Sequence, residues 1–172
     1  MKRTHMLLAL LAMIALPSLS MAQKFAYVDT DYIMNKIPTY KSAQDQIDKL
    51  SEQYQKEVED RYAQVEKMYN NYQTEKVLLT EDMRRKNEDE IIKKEREVKE
   101  LQMNYFGPEG QVYKKREELV KPIQEQVYNA IKEIAAEGGY AIIFDAAGGA
   151  SMVYTNSRYD KSDEVLQKLG YK

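Results

Sequence analysis

The chain of 172 residues has no cysteine, no tryptophan and a single histidine. Without cysteine there is no disulfide framework, no thiolate nucleophile and no cysteine for lipid attachment. The lone histidine, His5, falls in an N-terminus that reads as a signal peptide over Met1–Ala22. Lys2 and Arg3 precede an apolar run, Met6–Leu16, then Pro17 and a small-x-small end, Ser20-Met21-Ala22. A run that short does not span a bilayer, so cleavage before Gln23 and export are expected rather than a retained anchor. The remaining chain then has neither histidine nor cysteine. Ser-His-Asp and Cys-His catalysis are excluded, as are zinc sites built on imidazole or thiolate. Also missing is the side chain whose charge ordinarily switches between about pH 5 and 8. No G-x-x-x-x-G-K-[ST] occurs, so nothing suggests nucleotide-driven work. No cofactor and no metal are expected, although carboxylate, tyrosine, serine or lysine chemistry and an oxygen-ligand cation site stay open.

Glycine and proline are also sparse, at 7 and 4. Charged residues reach 31% and mean hydropathy is −0.69. Removing Lys2 and Arg3 leaves 24 basic against 28 acidic residues, net −4, which does not suit nucleic-acid binding.

Residues 38–137 hold no glycine but Gly107 and Gly110 and are dense in Glu, Lys, Gln and Tyr. Pro38-Thr39 is a helix-start signal. Apolar or aromatic residues then recur at Ala43, Ile47, Leu50, Tyr54, Val58, Tyr62, Val65, Tyr69 and Tyr72, about 3.6 residues per step, as on a nearly straight helix. A second stripe runs Ile91, Lys94, Val98, Leu101, Tyr105, Val112, Leu119, Ile123, Val127, Ile131 and Ile134. Between them Thr80 can cap a new helix, with Glu81 and Asp82 at its positive end. Two helices, 39–79 and 81–137, joined by a tight tip are expected. A helix of about 40 residues is about 60 Å long, more than the rest of the chain can cover, so the hairpin must project. Lys41–Asp82 carries net −4 and Arg84–Arg116 net +3, an asymmetry that favours antiparallel pairing or is merely two solvated faces. Gly107-Pro108-Glu109-Gly110 reads as a flexible hinge or a static kink, and Pro122 as a milder bend.

Gly138-Gly139 stops the second helix. Tyr140–Asp145 follows as a strand, Ala146–Gly149 as a turn, and Ala150–Tyr154 as a returning strand. Asp160 or Ser162 caps a short helix ending near Leu169, with Gly170 beyond it. At the front, Lys24–Val28 is a strand, and Asp29 caps a short helix through Lys36. The fold class is therefore α+β: a long, antiparallel, coiled-coil-like helical hairpin (38–137) projecting from a small β-sheet body (23–37 and 138–172). So thin a body, with exposed strand edges, calls for self-association into a closed homo-oligomer.

This order of parts resembles the Skp/OmpH family of periplasmic chaperones. The likeness rests above all on Lys24-Phe25-Ala26-Tyr27-Val28-Asp29 and Gly139-Tyr140-Ala141-Ile142-Ile143-Phe144-Asp145-Ala146, and it spans 24–169. The resemblance implies a jellyfish-like homotrimer whose three arms enclose a cavity. That cavity holds unfolded outer-membrane β-barrel proteins without ATP, as a periplasmic holdase. It implies that Phe25, Tyr27, Ile142, Phe144, Met152 and Tyr154 lie in the oligomerisation body. Well-studied members are strongly basic and some bind lipopolysaccharide through basic residues. This chain is mildly acidic with no matching motif, so lipopolysaccharide binding is doubtful for it. Client-contact candidates are Val77, Leu78 and Leu79 at the tip and Met103, Tyr105 and Phe106 beside the Gly107–Pro108–Gly110 hinge. Tyr54, Tyr62, Tyr69 and Tyr72 either meet clients or pack the hairpin. Two alternatives are a structural or adaptor coiled coil of the envelope and an enzyme using Asp29 with Asp145. The second is disfavoured, because acids at strand ends ordinarily serve caps and turns.

Overall fold

A computed structural model describes residues 23–148 and 152–171. The leader expected at 1–22 and the first residues of the returning strand, Ala150 and Ser151, lie outside the described residues.

Strand β1 (Lys24–Val28) runs into Asp29, whose carboxylate accepts from the Tyr32 amide at 2.8 Å and caps helix α1 (Thr30–Lys36). Ile37 is extended, as the residue before a proline must be, and Pro38 opens α2 (Pro38–Glu75) at its first turn. The helix ends in a single 3-10 turn, Lys76–Leu78. Thr80 then caps α3 (Glu81–Phe106), its hydroxyl accepting from the Met83 amide at 3.4 Å. The expected return helix over 81–137 is two helices, α3 and α4 (Gln111–Gly138). Pro122 lies inside α4 without ending it.

The break at Gly107–Gly110 is a closed turn. The Gly107 amide donates to the Met103 carbonyl at 2.8 Å and the Gly110 amide to the Gly107 carbonyl at 2.9 Å. A Cβ at Gly110 would lie 2.6 Å from the Tyr105 carbonyl oxygen, so lack of a side chain is what lets the two helices meet there. At the far end, Gly139 takes a left-handed conformation (φ +64°) that stops α4.

Strand β2 (Tyr140–Asp145) pairs with β1 in parallel, with Phe25 opposite Ile142, Ala26 opposite Ile143 and Tyr27 opposite Phe144. A parallel pair needs a crossover, and here the whole helical hairpin is that crossover. The returning strand expected at Ala150–Tyr154 is not formed over its described part, Met152–Tyr154. The outer edge of β1 is instead met by Asp160 and Lys161, the Lys161 amide donating to the Tyr27 carbonyl at 2.9 Å. The described sheet therefore has two strands, not three. Asp160 then accepts from both the Ser162 amide (2.8 Å) and its hydroxyl (2.6 Å), starting α5 (Ser162–Lys168).

Among the described residues two apolar clusters result. The first joins Val28, Ile33 and Ile37 to Ala43 and Ile47 of α2, to Val120, Ile123, Val127, Ala130 and Ile134 of α4, and to Val165 and Leu166 of α5. Each fully buried aliphatic side chain here contributes about 1.5–3 kcal/mol. The roots of the hairpin thus complete a body that looked too thin from its strands alone. The second cluster, Val58, Val65, Tyr72, Ile91 and Val98, belongs only to α2 and α3. The outer arm is held by this seam, which shares no residue with the body's cluster.

Candidate functional site

The period of two along β1 and β2 sends Ala26, Val28 and Ile143 toward the helices and leaves Phe25, Ile142 and Phe144 about half exposed on the other face. The Phe25 and Phe144 rings stand 6.4 Å apart. Phe25, Tyr27, Phe144, Met152 and Tyr154 line one open hollow of about 700 Å³, with Lys24, Arg158 and Lys161 among its polar residues. Five of the six residues expected in the body thus share one surface concavity, and Ile142 lies on the same sheet face. Lys161 also stands over the Tyr140 ring, 5.7 Å from its centre, and its ammonium is held above the usual lysine range, first by the Glu164 carboxylate.

At the tip, Val77 and Leu78 are 84% and 85% exposed, more than any apolar side chain of the seam. Leu79 is half-buried against that seam. The Arg84 guanidinium donates to the Lys76 carbonyl at 3.0 Å and pairs with Glu81 at 3.5 Å, stapling the turn. Beside the break, Met103 and Phe106 are exposed. Tyr105 is not: its ring stacks on Tyr54, centres 3.8 Å apart, and its hydroxyl donates to Glu57 at 2.8 Å.

Tyrosine also ties the arm together elsewhere. Tyr62 donates to Gln102 at 3.2 Å, and the Tyr72 hydroxyl donates to Glu88. The carboxylate beside each phenol raises the Tyr72 and Tyr105 pKa values, with burial adding to the shift. The charge asymmetry of the two arms finds no such expression. Among the described residues the arm's ion pairs are local, three or four positions apart in one helix, because flanking side chains reach solvent and their own next turn first. Lys94 holds the Glu97 carboxyl below its usual range in one of these pairs.

Asp29 and Asp145 do not form a reacting pair. Asp29 caps α1, and Asp145 accepts from the Thr30 amide (3.1 Å), the Thr30 hydroxyl (2.7 Å) and the Ala147 amide (3.0 Å). Among the described residues no group of three metal-ligating side chains occurs, and no helix is long and apolar enough to cross a membrane. The reading of the sequence missed Ile92, half exposed on α3. The signal was there: adjacent residues on a helix lie about 100° apart, so one seam cannot bury both Ile91 and Ile92.

A projecting two-helix arm on a small parallel-strand body, with exposed apolar surface at both, offers broad binding surfaces. Residues 24–169 match the family described as "Outer membrane protein (OmpH-like)". The chain belongs to this Skp/OmpH family of outer-membrane-protein chaperones, which is periplasmic and non-enzymatic. Its fold is similar to the crystal structure of a candidate outer membrane chaperone (OmpH-like) from Caulobacter crescentus CB15. The TM-score is 0.66 at 11% identity, covering 86% of this chain and 83% of that one. No curated protein matches the sequence.

Proposed function

We propose that this protein is an ATP-independent holdase of the periplasm, exported with its leader removed near Ala22-Gln23. It encloses unfolded outer-membrane β-barrel proteins between the arms of a homotrimer. Residues 23–37 and 138–172 form the oligomerising body and 38–137 the arm. One observation carries the reading: the apolar surface of the described chain is unpartnered in two separate places, the β-sheet face and the arm, while each apolar cluster is complete without it. The sheet face around Phe25, Ile142 and Phe144 suits burial between copies. Val77, Leu78, Met103 and Phe106 suit transient contact with a non-native chain. Many contacts, each weak, sum to a useful affinity once a client is enclosed, because the first raises the local concentration of the rest. None needs to be strong enough to trap the client.

Two measurements test this. Sedimentation of the mature chain is expected to give a trimer. Dilution of a urea-unfolded outer-membrane barrel into a stoichiometric amount of that trimer is expected to suppress light scattering from aggregation. Unchanged scattering rejects the holdase reading. An envelope adaptor would instead bind one folded partner at fixed stoichiometry and ignore the unfolded barrel.

A further inference from the structure

The two broad sides of the arm are chemically different. The seam of α2 is Val58, Val65 and Tyr72, and that of α3 is Ile91 and Val98. At about 100° per residue, Tyr62 and Tyr69 lie about 40° from the α2 seam in the direction of the chain. Ile92 and Phe106 lie about 100° and 80° from the α3 seam in the same sense. In antiparallel helices the same sense of rotation reaches the same side of the pair. The Tyr62–Gln102 hydrogen bond, joining two residues each four beyond a seam position, ties the helices together on that side. Tyr62, Tyr69, Ile92 and Phe106 are all substantially exposed, and Met103 lies farther round on the same side.

The opposite side is built otherwise. Positions three beyond a seam residue rotate the other way, and they hold Arg61, Met68 and Leu101. Together with Glu57, Lys94 and Glu97 these line a hollow of about 320 Å³ whose charges are engaged with one another: Lys94 with Glu97 at 2.7 Å and Arg61 with Glu57 at 3.9 Å.

We infer that the side bearing Tyr62, Tyr69, Ile92 and Phe106 is the face of the arm that meets unfolded clients, and that the Glu57–Arg61–Lys94–Glu97 side faces away from them. This rests on the holdase reading and gives it a direction. The spacing identifies the occupant. A partner helix or second copy needs an unbroken stripe, but on α2 the stripe stops: Gln55 and Lys76 occupy the positions seven before Tyr62 and seven after Tyr69. Glu59, Glu66, Glu95 and Lys99 fall among the apolar residues on this side. Isolated apolar and phenolic contacts separated by charge fit an extended chain whose own side chains alternate apolar and polar, as a barrel strand's do. Tyrosine supplies area and a hydrogen-bonding tip for either kind of neighbour.

The test places a photo-crosslinking benzoylphenylalanine singly at Tyr69 or Ile92 on this side, and at Asn71 or Lys93 on the other, in the full mature chain. All four positions are exposed, so folding is checked by an unchanged thermal melt. With a urea-unfolded outer-membrane barrel, adduct yields several-fold higher from Tyr69 and Ile92 are expected. The double substitution Tyr69→Ser with Ile92→Ser is expected to weaken client binding about tenfold by removing two of the summed contacts. Equal yields from both sides, with aggregation still suppressed, overturn the assignment and leave the holdase reading standing. Adducts between copies from Tyr69 or Ile92 without client overturn it in favour of a self-interface. Failure of the unmodified protein to suppress aggregation overturns both readings.

Discussion

Tyr105 shows how a neighbour decides what one side chain does. Beside the break, the sequence presents it as a client contact. The structure gives it a stacked neighbour, Tyr54, and an acceptor, Glu57, both on α2. Tyr105→Phe keeps the stack and removes the hydroxyl. It is expected to destabilise the protein by about 0.5–1.5 kcal/mol, read as a lower urea midpoint. Because the Tyr72 and Tyr105 pKa values are raised above 10.0 in the fold, their contribution is fully present below that value and lost as pH rises through the folded pKa. Stability should therefore fall in alkali, and the fall should be smaller in Tyr105→Phe. The test is a pH series of melts from neutral to above pH 10. The same chemistry explains which tyrosines were legible: the spacing marks Tyr54, Tyr62, Tyr69 and Tyr72 as one stripe, but their exposure depends on how close α3 approaches.

At the scale of elements, punctuation residues carry most of what the chain announces. Asp29, Pro38, Thr80, Gly139 and Gly170 stand at the ends of helices, as local chemistry requires. The Gly107–Gly110 break is equally visible, yet its character is not. Its tightness depends on backbone atoms of Asn104 and Tyr105 crowding Gly110. Gly110→Ala is expected to cost about 1–3 kcal/mol through that crowding, lowering the melting temperature, whereas a loose hinge would tolerate the methyl group. Over its described part, Met152–Tyr154, the expected returning strand is not formed, for a related reason. A run of β-formers after a glycine turn suggests a hairpin, but strand pairing depends on which edges are free. The outer edge of β1 is occupied by residues from far along the chain, Asp160 and Lys161.

Across the whole molecule the two apolar clusters are separate, and their stabilities should separate too. Val65 belongs to the outer seam and Ile47 to the body. Val65→Ala is expected to speed amide exchange along 58–101 while leaving the body protected. Ile47→Ala, a loss of about 2–5 kcal/mol, should lower the global melting transition. Hydrogen-exchange mass spectrometry distinguishes the two, and equal effects across the chain would mean a single cooperative unit. An arm that opens on its own also suits a binding role, since its contacts can rearrange without unfolding the body that anchors it.

Most helix starts and stops followed from the sequence alone, because helix periodicity, capping and proline geometry act over a few residues; the splitting of the return helix in two and the loss of the returning strand over Met152–Tyr154 did not. The exclusion of thiol chemistry also followed from the sequence, since it needs only residue types. The parallel pairing of β1 with β2, the role of the hairpin roots in completing the body, and the division of the arm into a phenolic-apolar side and an ion-paired side were decided by tertiary structure. Each depends on which distant segments lie against one another, and burial, unlike periodicity, has no value until that neighbour is in place.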